Sequence, residues 1–113
     1  MGYEPDMTHS SDSRLLLLSA DDNVVIARTN LTRGDVVTID GVQVTLSDDV
    51  DLGFKIARRD LGSGHKVIKY GAVIGSATAE IRRGDIVHLH NMRSDYLPTY
   101  SHEAGVGFTK RTV

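Results

Sequence analysis

The chain contains no cysteine, which removes disulfides, thiolate metal ligands and a thiol nucleophile together. Tryptophan is absent too, and the aromatic residues are two phenylalanines and four tyrosines among 113. A core of this composition must be aliphatic, and few rings are available to stack on bases or sugars. The longest apolar run is Leu15 to Leu18, far short of a transmembrane helix or a signal-peptide core. A formal net charge of −2 gives no reason to expect nucleic acid or an anionic membrane as partner. These absences leave one small domain, most simply cytoplasmic, with enough chain for a modest core.

What is present is a recurrent corner. An apolar residue, a second apolar residue one turn later, a glycine and a closing apolar residue recur four times with the same internal spacing. The copies are Ala27-Leu31-Gly34-Val37, Leu46-Val50-Gly53-Ile56, Ala57-Leu61-Gly64-Val67 and Ala77-Ile81-Gly84-Val87. Each glycine stands just before a β-branched stretch, where a chain needs φ > 0 to turn into a new strand. Their uneven separation excludes a solenoid of fixed period. The pattern predicts an all-β domain of short strands entered through glycine corners.

Strands are expected over 14–19, 24–28, 36–39, 42–46, 67–70 and 86–90. Asp40-Gly41, between two β-branched runs, is the strongest hairpin signal and predicts a type I′ turn. Helix is limited to single turns near Leu31 and Leu61, because no long window keeps a helical period free of glycine. Residues 1 to about 13 are polar and aperiodic and read as a disordered leader. The segment from 92 to 113 has no period, yet it holds Tyr96, Tyr100 and Phe108. Such a tail docks either on its own domain or on a partner, and spacing does not decide which.

From Lys66 the residues become specific. Lys66-Val-Ile-Lys-Tyr-Gly-Ala-Val-Ile-Gly75, then Ala77 to Ile81, then Arg83-Gly-Asp-Ile-Val-His-Leu-His-Asn91 resemble the SAF domain of the altronate and galactarate dehydratase family. Ser47-Asp-Asp-Val-Asp-Leu-Gly-Phe-Lys-Ile-Ala57 resembles the segment leading into the middle of that domain. The resemblance covers roughly 22–91 and implies a β-clip fold over 14–91. It departs from the family at Gly53-Phe54-Lys55, where Gly-His-Lys is frequent. A histidine stands one corner later, at His65, and spacing does not say whether it substitutes.

His88 and His90 are the best site candidates. On a continuous strand they would share one face, about 7 Å apart at Cβ, with Val87 and Leu89 turned to the core. That pattern also fits a solvent-facing edge strand with two ordinary histidines; the resemblance favours metal ligands. Two imidazoles do not complete a metal site, so further ligands would come from another chain. Asn91 could hold a substrate hydroxyl or orient a histidine, or simply end the strand in a turn. Lys69 and Tyr70 are candidate catalytic groups, through a cation for a substrate carboxylate and a phenol donor. Lys55 is a weaker carboxylate-binding candidate. Arg58, Arg59, Arg82 and Arg83 read as solvated corner faces. Asp48-Asp49-x-Asp51 lacks the glycine and closing glutamate of a calcium loop, and no phosphate-binding or nucleophile-elbow motif is present.

The resemblance implies the small subunit of a hydro-lyase, or of a related lyase, acting on sugar acids or other hydroxy-acids. Such a subunit would be inactive by itself. It would complete an active site with a large dehydratase subunit around a divalent metal, Fe²⁺ or Mn²⁺. Self-association stays open. The other reading of this fold is a non-catalytic sugar- or ligand-binding module, and the intact His88-x-His90-Asn91 run favours the lyase subunit.

Overall fold

A computed structural model of the chain describes residues 12–95. The expectations for the leader (up to residue 11) and for the aromatic tail (from 96) lie outside the described residues. Nine short strands follow one another without a helix among them: β1 (Leu15–Leu16), β2 (Val24–Ala27), β3 (Val36–Ile39), β4 (Val42–Thr45), β5 (Lys55–Ala57), β6 (Lys66–Lys69), β7 (Ala72–Ala77), β8 (Ile86–Val87) and β9 (Met92–Arg93). They form one antiparallel sheet in the order β1-β2-β5-β8, a β3-β4 hairpin, and a β6-β7-β9 sheet. Among the described residues no helix is long and apolar enough to cross a membrane.

The corners explain the architecture, because they pair. Leu31 bridges Val50, and Leu61 bridges Ile81, each pair exchanging both backbone bonds at 2.7–2.9 Å. Copy one therefore closes on copy two, and copy three on copy four. Each pair encloses a hairpin, β3-β4 in one case and β6-β7 in the other. That inserted hairpin is why the copies are unevenly spaced. The chain is a tandem of two similar halves, 27–56 and 57–87, which share the four-stranded sheet.

Every apolar position of the four copies is at most 4 % exposed. They divide into two cores, one per half, around Leu31, Val37, Leu46, Val50 and Ile56 and around Leu61, Val67, Ala77, Ile81 and Val87. The cores meet at β5, where Ile56 enters the first and Ala57 the second. Burying each Leu, Ile or Val contributes about 1.5–3 kcal/mol. All four corner glycines have φ between 91° and 95°, a conformation that costs an L-residue strain.

The first hairpin turns as expected, with Asp40 at φ 53° and Gly41 at φ 81°. The second repeats it at Tyr70 (φ 55°) and Gly71 (φ 77°). Other expectations are corrected. The strand expected over 14–19 is confined to Leu15–Leu16, and β5 and β7 were not foreseen as strands. The strand expected over 86–90 stops at Val87. Asn91 ends it: its Oδ1 accepts the His88 N–H at 3.0 Å, and its Nδ2 donates to the Ile86 carbonyl at 2.9 Å. The Asn91 N–H closes the turn on the His88 carbonyl at 3.0 Å. Leu89, expected in the core, lies in that turn and is 58 % exposed. Strand pairing also continues past residue 91, with Met92 opposite Ala77. The limit set on helix holds: near Leu31 and Leu61 no helical turn forms and the backbone is bridged.

Candidate functional site

The site is assembled at one end of the central sheet. Pairing of β5 with β8 sets Lys55 opposite Val87, so Phe54 and His88, one residue beyond, face one another. Their rings stack at 5.5 Å between centroids and 14° between planes. His88 and His90 are both exposed, as a turn allows, but strand alternation no longer relates them. Among the described residues no three histidine or acidic side chains converge as a metal centre would require. The donors of this region do not make such a centre by themselves.

Lys55 alternates with Ile56, so when Ile56 enters the first core Lys55 takes the other face, opposite Ile26 and Val87. It is half-buried there. Burial, and next the positive charge of Lys69, hold its ammonium below the usual lysine range. The charge of Lys69 on β6 is therefore felt at Lys55 on β5.

The group that brings Lys69 there is Asn23, which sequence reading passed over. Its side chain imitates a strand residue, donating to the Lys66 carbonyl and accepting the Ile68 N–H, both at 2.8 Å. The neighbouring Asp22 also reaches the second hairpin. It is fully buried and accepts the N–H groups of Tyr70 and Gly71 at 2.8 Å and of Ser19 at 3.1 Å. The second hairpin is thus hung on β2 through two polar side chains. The Asp21-Asp22-Asn23 turn signal could have flagged them, since such residues cap backbone groups elsewhere.

Arg58 is also corrected. It is buried rather than solvated, with Nε on the Asp40 carboxylate at 2.9 Å and Nη1 on the carbonyls of Ala20 and Asp22 at 2.8 and 2.9 Å. His65 does not take the place of Phe54. Its Nδ1 accepts the Gly62 N–H at 2.6 Å, as the Asp35 and Asp85 carboxylates accept Thr32 and Arg82 at 2.9 Å. It caps its own corner. Lys66 turns elsewhere, to Asp95 at 2.9 Å and Ser76 at 3.2 Å. The structure thus sets Lys55 within electrostatic reach of Lys69 and stacks Phe54 on His88, with Phe54 packed against the first core as Ile56 is. Asn91 is spent on the turn, and Tyr70 stands at the hairpin tip.

Two fused corner-paired halves sharing one sheet define a small all-β domain. Residues 13–95 match the altronate/galactarate dehydratase SAF domain, and the chain belongs to that family. It is 45 % identical over 78 residues to altronate dehydratase of Escherichia coli, covering 69 % of this chain and 16 % of that protein. It is 40 % identical over 53 residues to (2R)-sulfolactate sulfo-lyase subunit alpha of Chromohalobacter salexigens, covering 47 % of this chain and 56 % of that one. The corresponding subunit of Paracoccus pantotrophus is 36 % identical over 61 residues, which make up 91 % of its length and 52 % of this chain. The match thus spans about a sixth of the length of altronate dehydratase.

Proposed function

We propose that this chain is the small part of a lyase acting on hydroxy-acids, completing an active site whose main body is a separate large dehydratase polypeptide. One observation carries the reading. Just over half of this chain matches a sulfo-lyase subunit along 91 % of that subunit's length. In that relative, the same domain is nearly a whole subunit of a lyase.

The reaction class is β-elimination from a carboxylate. A base takes the proton α to the carboxyl group, the C–H electron pair forms the double bond, and the β-substituent leaves with its bonding pair, either as sulfite or as hydroxide that takes up a proton to become water. Lys55 and Lys69 supply what this region can offer, a pair of cations for the substrate carboxylates and the charge that develops on them. His88, held flat against Phe54, and His90 present imidazole edges at the rim. Asn91 contributes by fixing the turn that carries them. A divalent ion would belong to the assembled complex.

The test is an activity assay with altronate, galactarate and (2R)-sulfolactate. The expected result is a folded, inactive chain that gains activity when the large polypeptide is added with Fe²⁺ or Mn²⁺. Turnover by the isolated chain would overturn the two-part reading. Association without turnover of any hydroxy-acid would assign it to ligand binding instead.

A further inference from the structure

The two hairpins occupy equivalent places, yet their tips are treated differently. At the first tip Asp40 takes the left-handed conformation, which short polar side chains tolerate, and its carboxylate turns inward to Arg58. At the second tip a tyrosine takes the same conformation, at φ 55°. A bulky residue there is an outlier that persists only when its surroundings enforce it. The enforcement is visible: the fully buried Asp22 carboxylate holds the N–H groups of Tyr70 and Gly71 at 2.8 Å each. The ring so fixed is 75 % exposed. Strain and a buried carboxylate are spent on a ring that does not pack in either core.

We propose that the β6–β7 tip, with Tyr70 as its anchor, is where the large dehydratase polypeptide docks. This rests on the two-part reading above. Tyrosine on a rigid turn offers a large apolar face and one polar end with few rotamers to freeze, which suits it to anchor an interface. The preceding residue is Lys69, whose charge reaches Lys55, so the docking face takes a phenol ring inside a rim of carboxylates. The size of the occupant follows from altronate dehydratase of Escherichia coli, in which the matching stretch is 16 % of a single polypeptide and the rest forms the larger body. Docking here would bring Lys69 against the body of the enzyme.

Two measurements on the full chain test this. In the first, Tyr70→Asn keeps the turn, relieves the strain and raises the melting temperature. A fall would show that the ring supports the fold and would overturn the proposal. In the second, binding of the purified large dehydratase polypeptide from the same organism is titrated calorimetrically. Tyr70→Ala should weaken it at least about tenfold, while Val42→Ala on the other hairpin leaves it unchanged. No association of the unaltered chain overturns the two-part reading and this proposal with it. Association unaffected by Tyr70→Ala overturns the docking surface alone. An unchanged affinity with a raised KM would place the ring on substrate and would likewise overturn it.

Discussion

The half from Ala27 to Ile56 and the half from Ala57 to Val87 share corners, bridges and hairpins, but they differ in what they do with the positions left over. In the first half the polar specialities point inward, with Asp40 held by Arg58. In the second, the equivalent tip shows Tyr70 to solvent, and a register shift interrupts β6-β7 after Val67. Corners differ in the same way. A side chain at Gly84 would run into Val44, whereas nothing stands within 4 Å of one at Gly53. Leu52 beside that open corner is 62 % exposed. The duplicated scaffold supplies geometry, and the departures from duplication carry the candidate chemistry.

Removing Asp22 should have the largest effect, because one fully buried carboxylate holds both N–H groups of the second tip, whereas the first tip is held through the partly exposed Asp40. Asp22→Ala takes from three backbone donors their shared, fully buried acceptor and should cost roughly 3 kcal/mol, near the upper end for losing a hydrogen-bonded charged group. Asp40→Ala, which loses a partly exposed ion pair, should cost about 1 kcal/mol. Denaturant unfolding measures both. Adding Tyr70→Asn should recover part of the Asp22→Ala loss. Equal costs at Asp22 and Asp40 would mean that the tips are held alike, and the comparison would break.

The corner glycines sharpen the contrast at intermediate size. Gly53→Ala meets only backbone strain, at φ 91° with open space around it, and should cost about 1 kcal/mol. Gly84→Ala meets similar strain at φ 95° and also the Val44 side chain, and should cost roughly 2–3 kcal/mol. Combining Gly84→Ala with Val44→Ala should bring the two corners together, apart from the cavity left at Val44. Melting curves of the variants decide it.

Much of this scaffold was legible in advance. The four-fold corner and its positive-φ glycines are local signals, and every apolar position they named is buried. The pairing of the copies was not legible, since bridges such as Leu31 to Val50 are made across an inserted hairpin. The Ile86–Val87 strand was overrun for a physical reason. Alternating residues extend a strand only while a neighbouring strand supplies its bonds, and at His88 the Asn91 amide supplies them instead. Lys55, Lys69 and His88 were named from resemblance. What joins them, the Phe54 stack and the Asn23 and Asp22 links, depends on long-range contacts that no local pattern reports.

The smallest expected effect concerns Lys55, whose place in the second half is filled by Ile86. Both precede the closing residue of a corner, Ile56 or Val87, and β5 pairs with β8 there. Burial first, then the charge of Lys69, disfavours the charged form of Lys55 in the folded chain. Its folded pKa thus lies below the unfolded one. The folded state releases this proton more readily, so the charged lysine costs stability at neutral pH. That cost disappears as pH rises through the folded pKa toward the unfolded value of about 10.4. Lys55→Met should therefore raise stability at pH 7, by less than about 1 kcal/mol, and the gain should shrink in alkali. On the lyase reading proposed above, the same variant should impair turnover by the assembled complex, because the cation proposed for the substrate carboxylates is lost. A variant destabilised at neutral pH, or one whose advantage grew with pH, would show that Lys55 supports the fold as Ile86 does. The two halves would then be alike at the one position where their difference matters most for the proposed chemistry.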